Sequence, residues 1–263
     1  MLLVILLDAM PTTERTAGNA ERSAYLFNKA RVEFAGLAGE IVLWGDMTVG
    51  SSVQQLKGTP FMTGFRAGWK TFAIVNLHLH PGDDEDDVLF RREEVRFLLA
   101  ALKHKVERGR LCNENLIIAG DFNFYAGAEK DDQTIAMLAE AGFREVDSLV
   151  GVDTNGSMTE SYDRLFFSNN EYFRLSKADT GMESGGVFNP FDYFYRDGNA
   201  QDYKAFMMDD YTGSRDLNIP SKLASYYKHP WRKNQISDHF PIWCELIIDD
   251  SDEFLAEKLG SFS

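Results

Sequence analysis

With 263 residues and 44% apolar content, the chain is long enough to bury a sizeable core. Its 27 Lys and Arg against 41 Asp and Glu give a formal charge of −14. That balance excludes a generally basic nucleic-acid coat and leaves any anionic substrate to a local basic patch or a metal. Two cysteines, Cys112 and Cys244, are too few for a disulfide framework and fit a reducing, cytoplasmic setting. Without an internal repeat or a Pro/Gly/Ser linker, the pattern predicts one domain over 1–250 and an acidic tail over 251–263.

In chain order, Met1–Leu7 is apolar but has no basic residue before it and no clear cleavage site after it. It is far too short to span a membrane, and reads as a buried strand. Ala20–Phe27 alternates and is aromatic, as a strand would be. Arg31–Leu37 and Ile41–Trp44 read as two short strands parted by glycines. Phe61–Arg66 and Lys70–His78 read as a hairpin turning near Ala67-Gly68-Trp69. Pro81-Gly82 stops that strand, and the acidic run Asp83–Asp87 suits a helix N-terminus. The helix is predicted over Leu89–Arg108, with Val95, Leu98, Leu99, Leu102 and Val106 on one side. Leu116–Ala119 follows as a strand buried on both faces. A second helix is predicted over Asp132–Ala141, stopped by Gly142.

Arg164–Phe167 is strand-like. Phe173–Gln235 is long, aromatic and irregular, with three short helices, and its tyrosines read as satellite core. Phe240–Ile248 reads as a last buried strand before a helical acidic tail. Strands at both ends, with helices between consecutive strands, predict stacked sheets with helices outside.

Polar residues gather at strand ends. Asp121 and Asn123 follow Gly120, two residues apart and on one face if extended. His78 lies in Val75-Asn-Leu-His-Leu79, and His80 shares its face. Asp163 opens the strand Tyr162-Asp-Arg-Leu-Phe-Phe167, Asp238-His239 precedes Pro241, and Glu21-Arg22 stands at a strand start. Taken singly, each has an ordinary reading: a turn, a core histidine or a surface pair. Taken together, two imidazoles, several carboxylates and a carboxamide are the inventory of metal-assisted hydrolysis. No Gly-x-Ser-x-Gly elbow marks a serine nucleophile, and no Cys pair or helically spaced His pair marks a zinc site.

In this order, Glu21-Arg22, Asn76-Leu-His78, Gly120-Asp-Phe-Asn123, Tyr162-Asp-Arg164 and Ser237-Asp-His239 resemble the endonuclease/exonuclease/phosphatase superfamily, the deoxyribonuclease I-like fold. The resemblance runs from about Val4 to Leu246. It implies an α/β four-layer sandwich, two mainly antiparallel β-sheets packed face to face with helices on the outer faces. It also implies a phosphodiester hydrolase dependent on Mg²⁺, with Mn²⁺ or Ca²⁺ as substitutes, and DNA as the substrate.

By motif, Asp163 is expected to orient His78, and Glu21 to orient His239. Asp121 and Asn123 are expected at the water and the phosphate, with Asp238 and Asp121 at the metal. Arg232 and Lys233, in a local basic patch, are expected on substrate phosphates. Other outcomes on the same fold are a phosphomonoesterase, a lipid phosphodiesterase or a silent binding protein. The family's opening strands, which carry a metal-binding Asn and a Gln-Glu pair, have no counterpart here, so the metal centre is expected to lack its main carboxylate.

Overall fold

A computed structural model describes residues 2–7, 23–107, 115–125 and 130–260. Glu21, Arg22, Arg108 and Cys112, singled out above, lie outside these residues. The strands are β1 (Leu2–Leu7), β2 (Ser23–Asn28), β3 (Val32–Glu40), β4 (Gly58–Ala67), β5 (Lys70–His78), β6 (Leu116–Asp121), β7 (Phe143–Glu145), β8 (Asp163–Ser168), β9 (Gly185–Val187) and β10 (Ile242–Cys244). The helices are α1 (Glu85–Glu107), α2 (Asp132–Glu140), α3 (Lys204–Asp210), α4 (Pro220–Tyr226), α5 (Arg232–Gln235) and α6 (Ser251–Gly260).

Six strands form one sheet in the order β3-β4-β5-β6-β8-β7, while β1-β2 and β9-β10 form separate pairs. Every pairing is antiparallel except β5 with β6. That exception follows from the chain path, because α1 carries the chain back across the sheet between the two strands, as parallel neighbours require. Asp84 starts α1 by accepting from the Asp87 amide through its carboxylate, and Glu85, Asp86 and Asp87 complement the helix dipole.

Side-chain alternation divides the core into two. Val75 and Leu77 of β5 and Leu116 and Ile118 of β6 face α1 and α2, where they meet Val95, Leu98, Leu102 and Leu138. Phe72, Ile117, Leu165 and Phe167 face the other way. There they meet Tyr25 and Phe27 of β2, Val187 of β9, and Ile242 and Cys244 of β10. The two strand pairs thus form a second β layer against the six-stranded sheet, and α1 and α2 form the outer layer on its far side. The architecture is the α/β stack of sheets and helices expected from the sequence.

Two expected strands come out differently. Ile41–Trp44 is not a strand: the Gln55 side chain takes the Leu43 amide and donates to the Leu43 carbonyl, at 3.1 and 3.3 Å, in place of a neighbouring strand. Phe240–Ile248 yields only Ile242–Cys244 as strand: Pro241, which offers no amide to a ladder, stands before it, and beyond it Leu246 makes only an isolated bridge with Leu175. Ile242, Cys244, Leu246 and Ile248 still face the core at period two, and Trp243 points out. The tail is helical as predicted, and α6 is held by Glu253 to Arg174 and by Glu257 to Tyr172.

A third, smaller core gathers Tyr227 and Trp231 with Met207, Leu217 and Leu223. Much of the aromatic stretch is the satellite core that its composition suggested.

Candidate active site

His78, Asp121 and Asp163 lie level across three adjacent strands. His78 pairs in register with Asp121 across β5 and β6, and Asp121 with Asp163 across β6 and β8. Paired residues share a face, and parity puts all three on the side of the second β layer. Gly120 makes that register reachable. Its φ is 143°, and a Cβ there would overlap the Leu77 carbonyl oxygen of the neighbouring strand. Immediately after the strand, Asn123 takes a left-handed φ of 50°, and its amide turns back to Asp121 Oδ1 at 2.8 Å.

The second imidazole arrives from outside the sheet. His239 forms a bridge with Asn155, and neighbouring hydrogen bonds run from Phe240 N to Thr154 O and from Gly156 N to Asp238 O. This seats the ring beside β8, with its Nδ1 2.8 Å from Asp163 Oδ2. Thr154 Oγ1 accepts from the Asp163 amide at 2.9 Å and fixes the start of that strand. The hydrogen bond to Asp163 raises the His239 pKa to about 9, with the Asp121 and Asp238 charges adding to the effect. At neutral pH the ring is therefore an imidazolium.

Asp121 Oδ2 stands 3.5 Å from His78 Nε2 and 3.9 Å from His239 Nε2. Burial raises its pKa, against the Asn123 amide and the two imidazoles, which lower it. A half-buried carboxylate between two imidazoles, one of them charged, is a proton-handling arrangement.

The expected pairing of Asp163 with His78 is corrected here. The two residues are two strands apart, about 10 Å at ordinary sheet spacing, and Asp121 stands between them. Asp163 serves His239 instead. The expected partner of His239, Glu21, lies outside the described residues. Arg164 does not pair with its neighbour Asp163. It is buried, and donates to both Glu145 oxygens at 3.1 Å and to the Ser161 carbonyl.

Asn123 is buried, and its side-chain amide donates to the Leu79 carbonyl at 2.9 Å, which locks the end of β5 to the site loop. His80, two residues beyond His78, is turned away from the site. Its ring nitrogens lie 2.7 Å from Asp87 Oδ1 and 3.2 Å from Lys57 Nζ, and its ring packs on Phe90.

Tyr125 and Tyr162 flank the site in an edge-to-face pair, with centroids 5.3 Å apart. The Tyr162 ring lies 6.1 Å from that of His239, and burial pushes the Tyr162 phenol well above its ordinary pKa. Tyr162 belongs to the Tyr162-Asp-Arg164 motif, whereas neither Tyr125 nor Thr154 carries a sequence signal of its own.

Arg232 does not present its guanidinium to solvent. It is 6% exposed, lies 2.5 Å from Asp197 Oδ1 and stacks 4.2 Å from the Phe191 ring. Its guanidinium is engaged by Asp197 and Phe191 in the wall of a cleft. Lys233 reaches the Ser157 hydroxyl at 2.9 Å, and its stem lies where a Cβ on Gly156 would be.

Asp238 is exposed, and its carbonyl is taken by Gly156. Among the described residues, no three His, Cys, Asp or Glu side chains are grouped so as to hold a metal ion. Asp121 and Asp238 thus do not complete a divalent-cation site with the residues described. No helix among these residues is long and apolar enough to cross a membrane.

No family model matches the chain. No curated protein matches it either. Solved structures of the endonuclease/exonuclease/phosphatase family are similar to it. One is a family member from Bacteroides vulgatus: 16% identity, TM-score 0.46, covering 94% of this chain and 77% of that one. Another is a mannosyl-6-phosphatase of Bacteroides thetaiotaomicron VPI-5482: 17% identity, TM-score 0.48, covering 94% and 77%. A third is the catalytic domain of human Nocturnin with bound sulfate: 15% identity, TM-score 0.44, covering 66% and 63%.

Proposed function

We propose that the chain is a phosphodiester hydrolase acting on DNA, with water as the nucleophile. The observation that carries this reading is the Asp121 carboxylate set between His78 and His239, with Asp163 behind His239. In this reading Asp121 orients the water and takes its proton, helped by His78. The His239 imidazolium, held charged by Asp163, faces the phosphoryl group, stabilises the negative charge that develops there and gives its proton to the departing ester oxygen as the P–O bond breaks. Asn123 keeps Asp121 in place through its backbone amide.

Magnesium, with Asp121 and Asp238 as contributing acids, belongs to the proposal because the sequence resemblance implies it. The described residues do not complete a site for it, and none of the roles above runs through a metal. A cytoplasmic setting belongs to the same reading and rests on the two cysteines.

The test is hydrolysis of plasmid DNA and of a simple aryl phosphodiester, with and without added magnesium, by the wild type and by Asp121→Asn. Cleavage of both substrates, lost in the variant, is expected. Equal cleavage by wild type and variant, or no hydrolysis of either substrate, would overturn the assignment.

A further inference from the structure

Beside the hydrolytic centre lies a cleft of about 430 Å³, lined by Gly156, Ser157, Phe191, Arg196, Lys228 and His229 among others. It adjoins the site directly, since Gly156 on its rim donates to the carbonyl of Asp238, next to His239. Its charge departs from that of the chain as a whole. Lys228 and Arg232 share the single carboxylate of Asp197, at 3.0 and 2.5 Å. Arg196 has no carboxylate partner among the described residues, and neither has His229. Lys233 adds a further cation at Ser157. In a chain of net charge −14, a concave surface where Arg196, Lys228 and Arg232 outnumber Asp192 and Asp197 is a local site for an anion.

Arg196 also lines a second hollow of about 600 Å³, shared with Tyr193, Phe194 and Ile236. Tyr193 is 60% exposed and Phe194 61% exposed. Tyr193 stacks on the exposed Phe188 with centroids 5.3 Å apart and planes 13° from parallel. The Phe188 amide donates to Pro241 O, two residues past His239, so this shelf is tied to the same segment as the catalytic histidine. Exposed rings beside the unpaired Arg196 guanidinium, on one continuous surface, match a ligand that alternates planar groups with phosphates.

We propose that this cleft and shelf form an accessory subsite for single-stranded nucleic acid. A backbone phosphate binds at Arg196 and His229, and an unpaired base lies on Tyr193 or Phe194. The inference rests on the nuclease reading and narrows its substrate to unpaired strands. In a duplex the base faces are already stacked, which leaves the shelf unused.

The experiment is equilibrium anisotropy with a fluorescent oligothymidylate, with a duplex of equal length and inorganic phosphate as competitors, at several salt concentrations and without hydrolysis as a readout. Arg196→Ala is expected to weaken binding about tenfold and to flatten the logarithmic salt dependence by about 0.7, the value of one single-strand phosphate contact. Tyr193→Ala with Phe194→Ala is expected to weaken binding by about tenfold or more with the salt slope unchanged, as lost stacking would. Arg196→Lys should retain most of the affinity.

Unchanged binding in both variants, or a duplex that competes as well as the single strand, would overturn the subsite. So would full displacement by inorganic phosphate at equal concentration, which would mark a plain anion site. Hydrolysis of the aryl phosphodiester by a wild type that fails to bind the oligonucleotide would overturn the subsite and leave the hydrolase assignment standing.

Discussion

Asp163 Oδ2 lies 2.8 Å from His239 Nδ1, and the same Asp163 sits opposite Asp121 in the β6–β8 register. One carboxylate thus charges an imidazole, while its cross-strand neighbour stands 3.9 Å from the other nitrogen of that ring. With its pKa near 9, His239 stays protonated through the neutral range. Asp163→Asn keeps the shape and removes the charge, so the His239 pKa is expected to fall toward the free-imidazole value of about 6.5. The alkaline limb of the pH–rate profile should move down with it, and the rate at neutral pH should drop by about two to four orders of magnitude. NMR titration of the ring and the pH–rate profile are the two readouts. A ring that still titrates near 9 in Asp163→Asn would remove Asp163 from this role.

The same shift predicts a pH dependence of stability. His239 is raised above its unfolded value of about 6.5, so its contribution is fully present below that pH and lost as the pH rises through about 9. Denaturation midpoints should therefore decline between those limits in the wild type and decline less in Asp163→Asn. Parallel declines in the two proteins would assign the pH dependence to other groups.

His78 and His80 offer a contrast two residues apart. His78→Ala removes the imidazole beside Asp121 and should slow hydrolysis by about two to four orders of magnitude with little change in folding. His80→Ala instead breaks a contact with Asp87 and a packing contact with Phe90 at the start of α1. It should lower the unfolding midpoint and spare most of the rate. Rates and melting curves for the pair of variants would separate the two, and equal rate losses would dissolve the distinction.

What the sequence made legible was periodicity. The β4–β5 hairpin, α1, α2 and β6 follow from apolar spacing and from punctuation at Gly68, Pro81 and Gly142, and their observed bounds lie within a few residues of those expected. The site residues were legible as strand-end polar groups for the same reason. Their pairing was not. Whether Asp163 meets His78 or His239 depends on strand order, and nothing in the spacing 78, 121, 163 reveals that β6 lies between β5 and β8. The partners of Arg232 are hidden from the sequence for a related reason. Only the fold places Asp197 and Phe191, more than thirty positions earlier, around its guanidinium. Arg232→Ala is accordingly expected to cost about 1–3 kcal/mol in urea unfolding, without the flattened salt slope expected of Arg196→Ala.

The last prediction concerns the bolt behind the site. Arg91 is completely buried, and its guanidinium meets both oxygens of Asp131 at 3.3 and 3.1 Å. It also donates to the carbonyls of His80 and Gly82, at 3.1 and 2.5 Å, and so ties the chain leaving β5 to α1. Asp131 in turn accepts from the Tyr125 amide, just past Asn123. One buried pair therefore anchors the segments that follow both His78 and Asp121. Removing one member strands the other charge in the interior, so Arg91→Met or Asp131→Leu alone should destabilise the fold by about 3–5 kcal/mol. The double variant Arg91→Met with Asp131→Leu should recover part of that loss, because no buried charge remains. Its hydrolytic rate should stay low, since an apolar side chain cannot hold the His80 and Gly82 carbonyls. Urea unfolding of the single and double variants, with hydrolysis measured on each, forms a thermodynamic cycle. A double variant as unstable as the sum of its parts would show that the pair is not coupled, and a double variant at full activity would show that the bolt does not position the site.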